Sequence, residues 1–282
     1  MYRLKFFVFS TITVLFVGSL LFLSYTFLFP QDETIAPSTL VTADGSHYFR
    51  YDEKGKVIPF DLLDPEESPS NIHEAVMQGF HILLDTRQYA SEYTKSELSC
   101  SSCHFFGGNT LGGENGGISL VGVTNIYPKY SARDNKTISL KQRIQQCFLR
   151  SMNGKAPVED SPVMNALIAY LEWISSELKC CKNIPWLGIK SIKMKKIPDR
   201  ENGKKMYEKT CASCHQIDGS GTVGVPPLWG AHSFNTSAGM NKLPMLAPFI
   251  YWNMPKENPT LSDQEAIDIA DYIISMPRPE LH

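Results

Sequence analysis

The chain has 282 residues, which is enough for one or two domains that each bury a hydrophobic core. Its formal net charge is −2 and no basic stripe with interleaved aromatic residues occurs, so the composition argues against a nucleic-acid-binding protein. A hydrophobic fraction of 43% with 20% charged residues is ordinary for a folded protein and argues against a disordered one.

Residues 1–31 are predicted to be a membrane anchor or a signal segment. Arg3 and Lys5 precede a mostly apolar stretch, residues 6–31, that carries no charge. A secretory signal usually has about 7–15 apolar residues and a small-residue cleavage site, whereas about 20 apolar residues span a bilayer. An uncleaved anchor is therefore favoured, and a long signal peptide cut near Ser24 is the alternative. Positive charge before the apolar stretch places the rest of the chain on the periplasmic side of the bacterial cytoplasmic membrane.

Two cysteine groups read CSSCH (residues 100–104) and CASCH (residues 211–215). C-x-x-C-H is the attachment signature of a c-type haem, because the two thiols bind the haem vinyl groups and the histidine ligates the iron. A thioredoxin-like or zinc site explains neither the adjacent histidine nor the exported setting. The sequence therefore predicts two covalently bound c-type haems. The predicted attachment and proximal-ligand residues are Cys100, Cys103, His104, Cys211, Cys214 and His215.

Similar elements surround the two motifs. A helix with Ile72, Val76, Phe80 and Leu83 on one face precedes the first motif, and Asn71 with Glu74 is a candidate capping box for it. A shorter helix with Gly203 one turn before Tyr207 precedes the second motif. The related tetrapeptides SLVG (119–122) and PLWG (227–230) follow the motifs. Each unit closes with a helix, capped by Ser161 with Pro162 in one case and by the Ser262/Glu265 box, ending before Pro277, in the other.

This order of elements is typical of a small class I cytochrome c domain. We predict an all-α fold with two such domains in tandem, long haem-supporting loops and little sheet. The predicted domains are residues 70–178 and 199–282, joined by a linker at 179–198. Residues 32–69, rich in Pro, Asp and Glu, are expected to link the first domain to the membrane or to wrap it.

The second domain offers three methionines between its motif and its closing helix as distal ligands: Met240, Met245 and Met254. A thioether suits haem iron and raises its potential. Met254 lies 39 residues after His215, shortly before the closing helix, where a class I domain has its distal ligand. We therefore predict Met254 as that ligand and the other two as apolar lining.

The first domain leaves the distal ligand open between Cys147 and Met152, which lie 43 and 48 residues after His104. A helix is predicted here, with Ser139 and Gln142 as a capping box and an end at Asn153–Gly154.

Helical phase places Cys147 on the same face as Leu140, Ile144 and Phe148, with the stems of Arg143 and Arg150 nearby. Neighbouring cations favour the thiolate, which ligates metal or attacks sulfur. A buried, inert cysteine is the alternative.

The adjacent Cys180 and Cys181 could form a strained vicinal disulfide or remain thiols. If they pair, Cys147 is the one cysteine left over, and a leftover cysteine in an exported protein suggests a function.

The region from PKYSARDNKTISLKQRIQQCFLRSMNGK to YLEWIS, after CSSCH and LVGVT, resembles the first haem domain of the dihaem thiosulfate dehydrogenase family. That domain is also akin to the haem-cysteine domains of sulfur-oxidising cytochromes. The tail, with CASCH, PPLWG, NMP and LSDQEAIDIADYI, is similar to the second domain of the family. The resemblance covers about residues 70–280.

The resemblance implies oxidative coupling of two thiosulfates to tetrathionate, or the reverse reduction. By position, Cys147 matches the cysteine that ligates the first haem, Arg133 and Arg143 match arginines that hold the anionic substrate, and Met254 matches the distal ligand of the second haem. Asn253 stands where some members carry a lysine, so ligand exchange by lysine is not expected here. The vicinal cysteines have no assigned counterpart in the family.

Two other functions remain open from the sequence. A plain dihaem electron carrier would use Met152 as ligand and bind no substrate. A membrane-tethered subunit could instead feed electrons to a terminal oxidase. The expected redox partner is a small cytochrome c or a terminal oxidase, and membrane contact is expected through the N-terminal helix.

Overall fold

The computed structural model describes residues 41–43, 47–51, 57–59, 61–113, 115–178, 184, 186–194, 197–256 and 258–281. The predicted N-terminal anchor and the Cys180–Cys181 pair lie outside these residues. Within the described ranges, no helix is both long and apolar enough to cross a membrane.

The described part of the chain is mainly helical, as expected. Its α-helices are α1 (His73–Leu84), α2 (Thr86–Tyr89), α3 (Leu140–Arg150), α4 (Pro162–Ser175), α5 (Arg200–Thr210), α6 (Ala212–His215), α7 (Leu243–Asn253) and α8 (Asp263–Ser275). Short 3₁₀ turns lie at Pro65–Glu67, Ser91–Tyr93, Cys100–Ser102, Phe105–Gly108, Val123–Asn125, Ser176–Leu178 and Gly239–Asn241. Residues 61–282 form one compact unit.

Two small antiparallel sheets accompany the helices. Strands β1 (Val41–Ala43), β2 (His47–Tyr51) and β3 (Val57–Pro59) form a sheet in the order β1-β2-β3. This sheet lies in the segment predicted as a linker, and it belongs to a separate unit, residues 1–60. Strands β4 (Lys129–Ser131) and β5 (Lys136–Ile138) form a hairpin just before α3.

Each half of the compact unit is held together by its first and last helices. Helix α1 packs on α4 in the first half, and α5 packs on α8 in the second, where α7 also contacts α8. Both helix pairs, α1 with α4 and α5 with α8, have a buried glycine at their contact. A Cβ on Gly79 would overlap the carbonyl of Ala166, and one on Gly203 would overlap the carbonyl of Asp268. Backbones approach this closely only where no side chain stands between them.

Most of the predicted helix starts are confirmed. Ser139 and Gln142 form the capping box of α3, Ser161 caps α4 with Pro162 in its first turn, and Ser262 with Glu265 caps α8. The capping box predicted at Asn71 and Glu74 is wrong.

Helix α1 begins at His73, and its N-cap, Ile72, forms no side-chain cap. Ile72 is also 37% exposed, so the buried face of α1 begins only with Val76. The helix starts one residue later than the pattern predicts, because the turn at 69–72 is closed by its own backbone bond, from the Ile72 N–H to the Pro69 carbonyl.

A loop of the second half forms hydrogen bonds with the C-terminal end of α3. The fully buried Asn235 donates from Nδ2 to the Leu149 carbonyl at 2.9 Å and to the Asn153 side-chain oxygen at 3.2 Å. Its backbone N–H donates to the Arg150 carbonyl at 3.1 Å. Helix α3 ends at Arg150, and Asn153 follows with a positive φ of 46°. Carbonyls that a helix end leaves without an intrahelical partner are thus satisfied by the other half of the molecule.

Candidate active site and haem sites

A mainly apolar cleft lies in the first half, beside the CSSCH motif. The chemistry-bearing side chains on its wall are those of Cys100, Cys103, His104, Tyr127, Arg143, Cys147 and Met152. The first haem motif, Cys147 of α3 and Met152, the other candidate for the distal ligand, therefore all line one cleft.

Both motif histidines are oriented for metal ligation by a backbone carbonyl. His104 donates from Nδ1 to the Ile118 carbonyl at 2.8 Å, and His215 donates from Nδ1 to the Pro226 carbonyl at 2.9 Å. A carbonyl can only accept, so Nδ1 carries the proton and Nε2 is left as the ligand atom. The accepting residues each lie one position before the SLVG and PLWG tetrapeptides. The two loops therefore orient the two motif histidines in the same way.

The protonation state of His104 also suits an iron ligand. The pKa of His104 is lowered to about 4, because burial disfavours the charged imidazolium and Arg143 adds repulsion. Burial likewise lowers the pKa of His215. Both imidazoles are therefore neutral at ordinary pH, which is the form that ligates a metal.

The cleft fits a covalently attached haem. The two thiols of the first motif and the His104 imidazole reach one apolar space, and burial raises the pKa of the Cys103 thiol to about 12. A buried sulfur that resists ionisation matches a neutral thioether. His104, Cys100 and Cys103 would hold the group, which supplies one-electron redox chemistry.

In the second half, the predicted ligand residues flank one apolar core. Tyr207, Trp229 and the inner faces of α7 and α8 form this core, and Cys211, Met240 and Met254 pack against it while remaining partly exposed. Met254 directly follows α7, where its backbone N–H bonds to the Ile250 carbonyl at 2.8 Å. Met245 is 38% exposed.

Cys147 lies on the cleft wall with a cation directly against its sulfur. The Nη1 of Arg143, one helical turn earlier, donates to Cys147 Sγ at 3.0 Å. Electrostatic attraction to Cys147 raises the pKa of Arg143, and a hydrogen bond to the Tyr127 side chain contributes in the same direction. Sequence reasoning did not find Tyr127, because nothing in the local pattern connects it with α3.

The second predicted arginine, Arg133, lies at the tip of the β4–β5 hairpin. It is exposed, and its Nη1 donates to the Ser237 carbonyl of the second half at 3.3 Å. Besides desolvation, the charges of Arg150 and Arg143 lower the pKa of Arg133, so its guanidinium shares one positive region with theirs. Arg143 lies on the cleft wall, whereas Arg133 is not among the residues that line the cleft.

Arg150 departs from its predicted position beside Cys147. Its Nη2 bonds to Asp134 Oδ1 at 3.0 Å, and its Nη1 bonds to Gln146 at 3.2 Å. The guanidinium turns to the hairpin because Asp134 offers it a charged partner, with only 15% of each side chain exposed. Gln146 also donates to Asp134 Oδ2 at 2.8 Å, so this group ties the hairpin to α3.

Replacing Asp134 with asparagine is expected to lower the free energy of unfolding near neutral pH but not in strong acid. Hydrogen bonds from Ser131 first, and then from Arg150 and Gln146, lower the pKa of Asp134 from 3.8 to about 2. A carboxyl with a depressed folded-state pKa stabilises the fold above its unfolded pKa and loses this contribution as the pH falls through the folded value. Urea unfolding should therefore show the wild-type advantage narrowing as the pH falls from 3.8 to about 2. An advantage that does not change with pH would contradict this role.

Two family models match the two halves of the chain. The SoxA/TsdA cytochrome c domain matches residues 86–180, and cytochrome c matches residues 200–277. The chain therefore contains two cytochrome c domains and binds two c-type haems covalently.

Relatives extend this similarity over most of the chain. It is 37% identical over 229 residues to the thiosulfate dehydrogenase of Allochromatium vinosum, covering 79% of this chain and 84% of the relative. It is 36% identical to that of Stutzerimonas stutzeri, covering 78% and 73%. A solved structure, thiosulfate dehydrogenase (TsdBA) from Marichromatium purpuratum, matches with a TM-score of 0.72 and 27% identity. That match covers 78% of this chain and 50% of the longer TsdBA chain. The chain belongs to the thiosulfate dehydrogenase family.

Proposed function

We propose that this protein is an enzyme that oxidatively couples two thiosulfate anions to tetrathionate, and that it also catalyses the reverse reduction. The observation that carries the proposal is the 3.0 Å contact between Arg143 Nη1 and Cys147 Sγ on the wall of the His104 cleft. A thiol, a guanidinium and the predicted haem ligand His104 therefore lie on one cleft, which supports the proposal.

The positive region addresses the main difficulty of this reaction. Each thiosulfate carries two negative charges, and two of them must approach one sulfur atom. Arg133 and Arg143 offset that repulsion, and a guanidinium fork suits the oxygens of a sulfonate group. Arg150 is neutralised by Asp134, so it contributes less charge to the anion and more to holding the site together.

In the first step, the Cys147 thiolate binds the terminal sulfur of one thiosulfate, giving a Cys–S–S–SO₃⁻ adduct and releasing two electrons. In the second step, the terminal sulfur of another thiosulfate attacks the middle sulfur of that adduct, as in thiol–disulfide exchange. Tetrathionate leaves and the Cys147 thiolate is restored. Arg143 stabilises the thiolate in both its attacking and its leaving role, while Arg133 holds the incoming anion.

Two bound haems would supply the one-electron redox chemistry that takes up the two electrons. In this proposal His104 and Cys147 would hold the first iron, and His215 and Met254 would hold the second. Because a thiolate lowers an iron potential and a thioether raises it, these ligands would favour electron flow from the first domain to the second.

The remaining assignments follow from the sequence. Residues 70–178 form the catalytic domain, 179–198 the linker and 199–282 the electron-transfer domain. The enzyme works on the periplasmic side of the cytoplasmic membrane, and residues 1–31 hold it there unless they are cleaved as a signal. A small cytochrome c or a terminal oxidase takes the electrons from the second haem.

A second function is supported by the position of Met152. This side chain is 3% exposed and lines the same cleft as Cys147. With Met152 as the distal ligand, the protein would be a dihaem electron carrier that binds no sulfur compound. The two functions therefore differ in the ligand of one iron.

Electron paramagnetic resonance of the oxidised holoprotein, together with an activity assay, tests the proposal. We expect a histidine/thiolate signal from one haem, and ferricyanide reduction that depends on thiosulfate. Two histidine/methionine signals with no thiosulfate-dependent reduction would support the carrier instead. Tetrathionate consumption with a chemically reduced electron donor tests the reverse direction.

A further inference from the structure

A buried asparagine joins the two cytochrome domains beside the loop that follows the first haem motif. Asn253 is the last residue of α7 and is 2% exposed. Its Nδ2 donates to the Phe249 carbonyl at 2.9 Å, which fixes the orientation of the amide. Its Oδ1 then accepts from the backbone N–H of Gly117, in the first domain, at 2.8 Å.

On the first-domain side, the bond ends in the loop that supports the first haem motif. Gly117 is followed by Ile118, whose carbonyl accepts the His104 Nδ1–H at 2.8 Å. The Ile118 N–H donates to the Cys103 carbonyl at 2.9 Å. Gly117 has a φ of +64°, and a Cβ there would lie 2.7 Å from the same Cys103 carbonyl. The loop thus lies directly against a haem-attaching cysteine and the proximal histidine.

On the second-domain side, Asn253 is covalently joined to Met254. A continuous path therefore leads from Met254 through the Asn253 amide to Gly117, and from Ile118 to His104. Two hydrogen bonds, each of 2.8 Å, form part of this path, and the rest of it is covalent. We propose that Asn253 is a positioning residue that forms the hydrogen-bonded bridge for electron transfer between the two haems. This inference rests on the proposed ligation of the second haem by Met254.

Two physical arguments favour the bridge. Electronic coupling decays more slowly along covalent and hydrogen bonds than across a non-bonded gap. The nearby Phe105 and Phe249 side chains also meet across the two domains, but only by non-bonded contact. Their ring centroids are 5.9 Å apart in an edge-on arrangement. A buried amide also costs stability unless its polar atoms are paired, and both atoms of the Asn253 amide are paired here. The amide therefore fits its place only with the first domain docked.

The test is the rate of electron transfer between the haems in the full-length holoprotein, measured after rapid reduction by a small-molecule reductant. Asn253→Leu keeps the size of the side chain and removes the acceptor. We expect transfer to slow by about tenfold, which is about 1.4 kcal/mol in activation free energy. The methionine-to-iron absorption band reports whether Met254 is still bound. If the leucine variant does not fold or loses that band, Asn253→Ser, whose short hydroxyl does not reach Gly117, replaces it.

Asn235→Leu is the matched control, because Asn235 is also a buried interdomain amide but contacts Leu149 and Asn153 rather than the haem-supporting loop. We expect both variants to lower thermal stability and only the Asn253 variant to slow transfer. Unchanged transfer in the Asn253 variant, or equal slowing in both, overturns the bridge. The measurement uses no thiosulfate, so its failure is distinct from a failure of the proposed reaction, which appears as absent turnover in the wild type.

Discussion

Replacing Cys147 with glycine is expected to abolish thiosulfate turnover while both haems remain covalently attached. The attachment residues are in the C-x-x-C-H motifs, so neither haem depends on Cys147 for its bonds to the chain. The variant removes the sulfur that forms the proposed adduct and that Arg143 contacts at 3.0 Å. Loss of a covalent nucleophile commonly lowers kcat by about 10⁴-fold or more. Steady-state ferricyanide reduction measures the loss, and denaturing-gel haem staining with the haem spectrum confirms attachment.

Met152→Leu provides the matched control for the Cys147 variant. Both side chains line the cleft, and a methionine-to-leucine change nearly conserves volume, so its cost in stability is expected to be below about 1.5 kcal/mol. We expect this variant to retain activity and the histidine/thiolate signal. The reverse pattern, with the Cys147 variant active and the Met152 variant altered in its spectrum, would identify the protein as a carrier.

The site helix could be predicted because its signals are local. The Ser139/Gln142 capping box and the helical phase lie within a few residues of each other, and they place Cys147 on the face with Phe148, which is 1% exposed. The internal repeat predicted the two closing helices for the same reason. Spacing alone left Cys147 and Met152 undecided, and both side chains indeed reach the cleft.

The parts that could not be predicted depend on contacts between distant residues. Arg150 faces Asp134 rather than Cys147, and the sequence gives no sign that the β4–β5 hairpin folds back onto α3. Asn235 and Asn253 read as ordinary polar residues, yet each is buried and bonds to the other domain. Such roles arise only when two loops far apart in the chain meet.

These interdomain contacts connect the second domain to elements of the candidate site. The loop around Asn235 satisfies carbonyls at the end of α3, and the Ser237 carbonyl accepts from Arg133. Arg133 and the end of the helix that carries Cys147 are thus held in part by the second domain.

Replacing Arg143 with leucine is expected to lower kcat/KM for thiosulfate by about 10²–10³-fold, the scale for loss of one donor that stabilises developing charge. The guanidinium bonds to the Cys147 sulfur and is held by the Tyr127 hydroxyl, so it is already oriented before substrate binds. Arg143→Lys keeps the charge but loses the planar fork, and we expect it to recover only part of the activity. Steady-state kinetics at low and high salt measure both variants.

Arg200→Leu is the control, because Arg200 forms an ion pair with Asp271 on the second domain and touches no residue of the cleft. We expect its kcat/KM to equal that of the wild type. If the lysine variant were fully active, only the positive charge at this position would matter and the bidentate role would be wrong. If the leucine variant lost substrate affinity with kcat unchanged, Arg143 would bind the anion without assisting the thiolate. A fall in both kcat and kcat/KM is the outcome that the 3.0 Å contact with the sulfur leads us to expect, because that contact acts on the reacting atom itself.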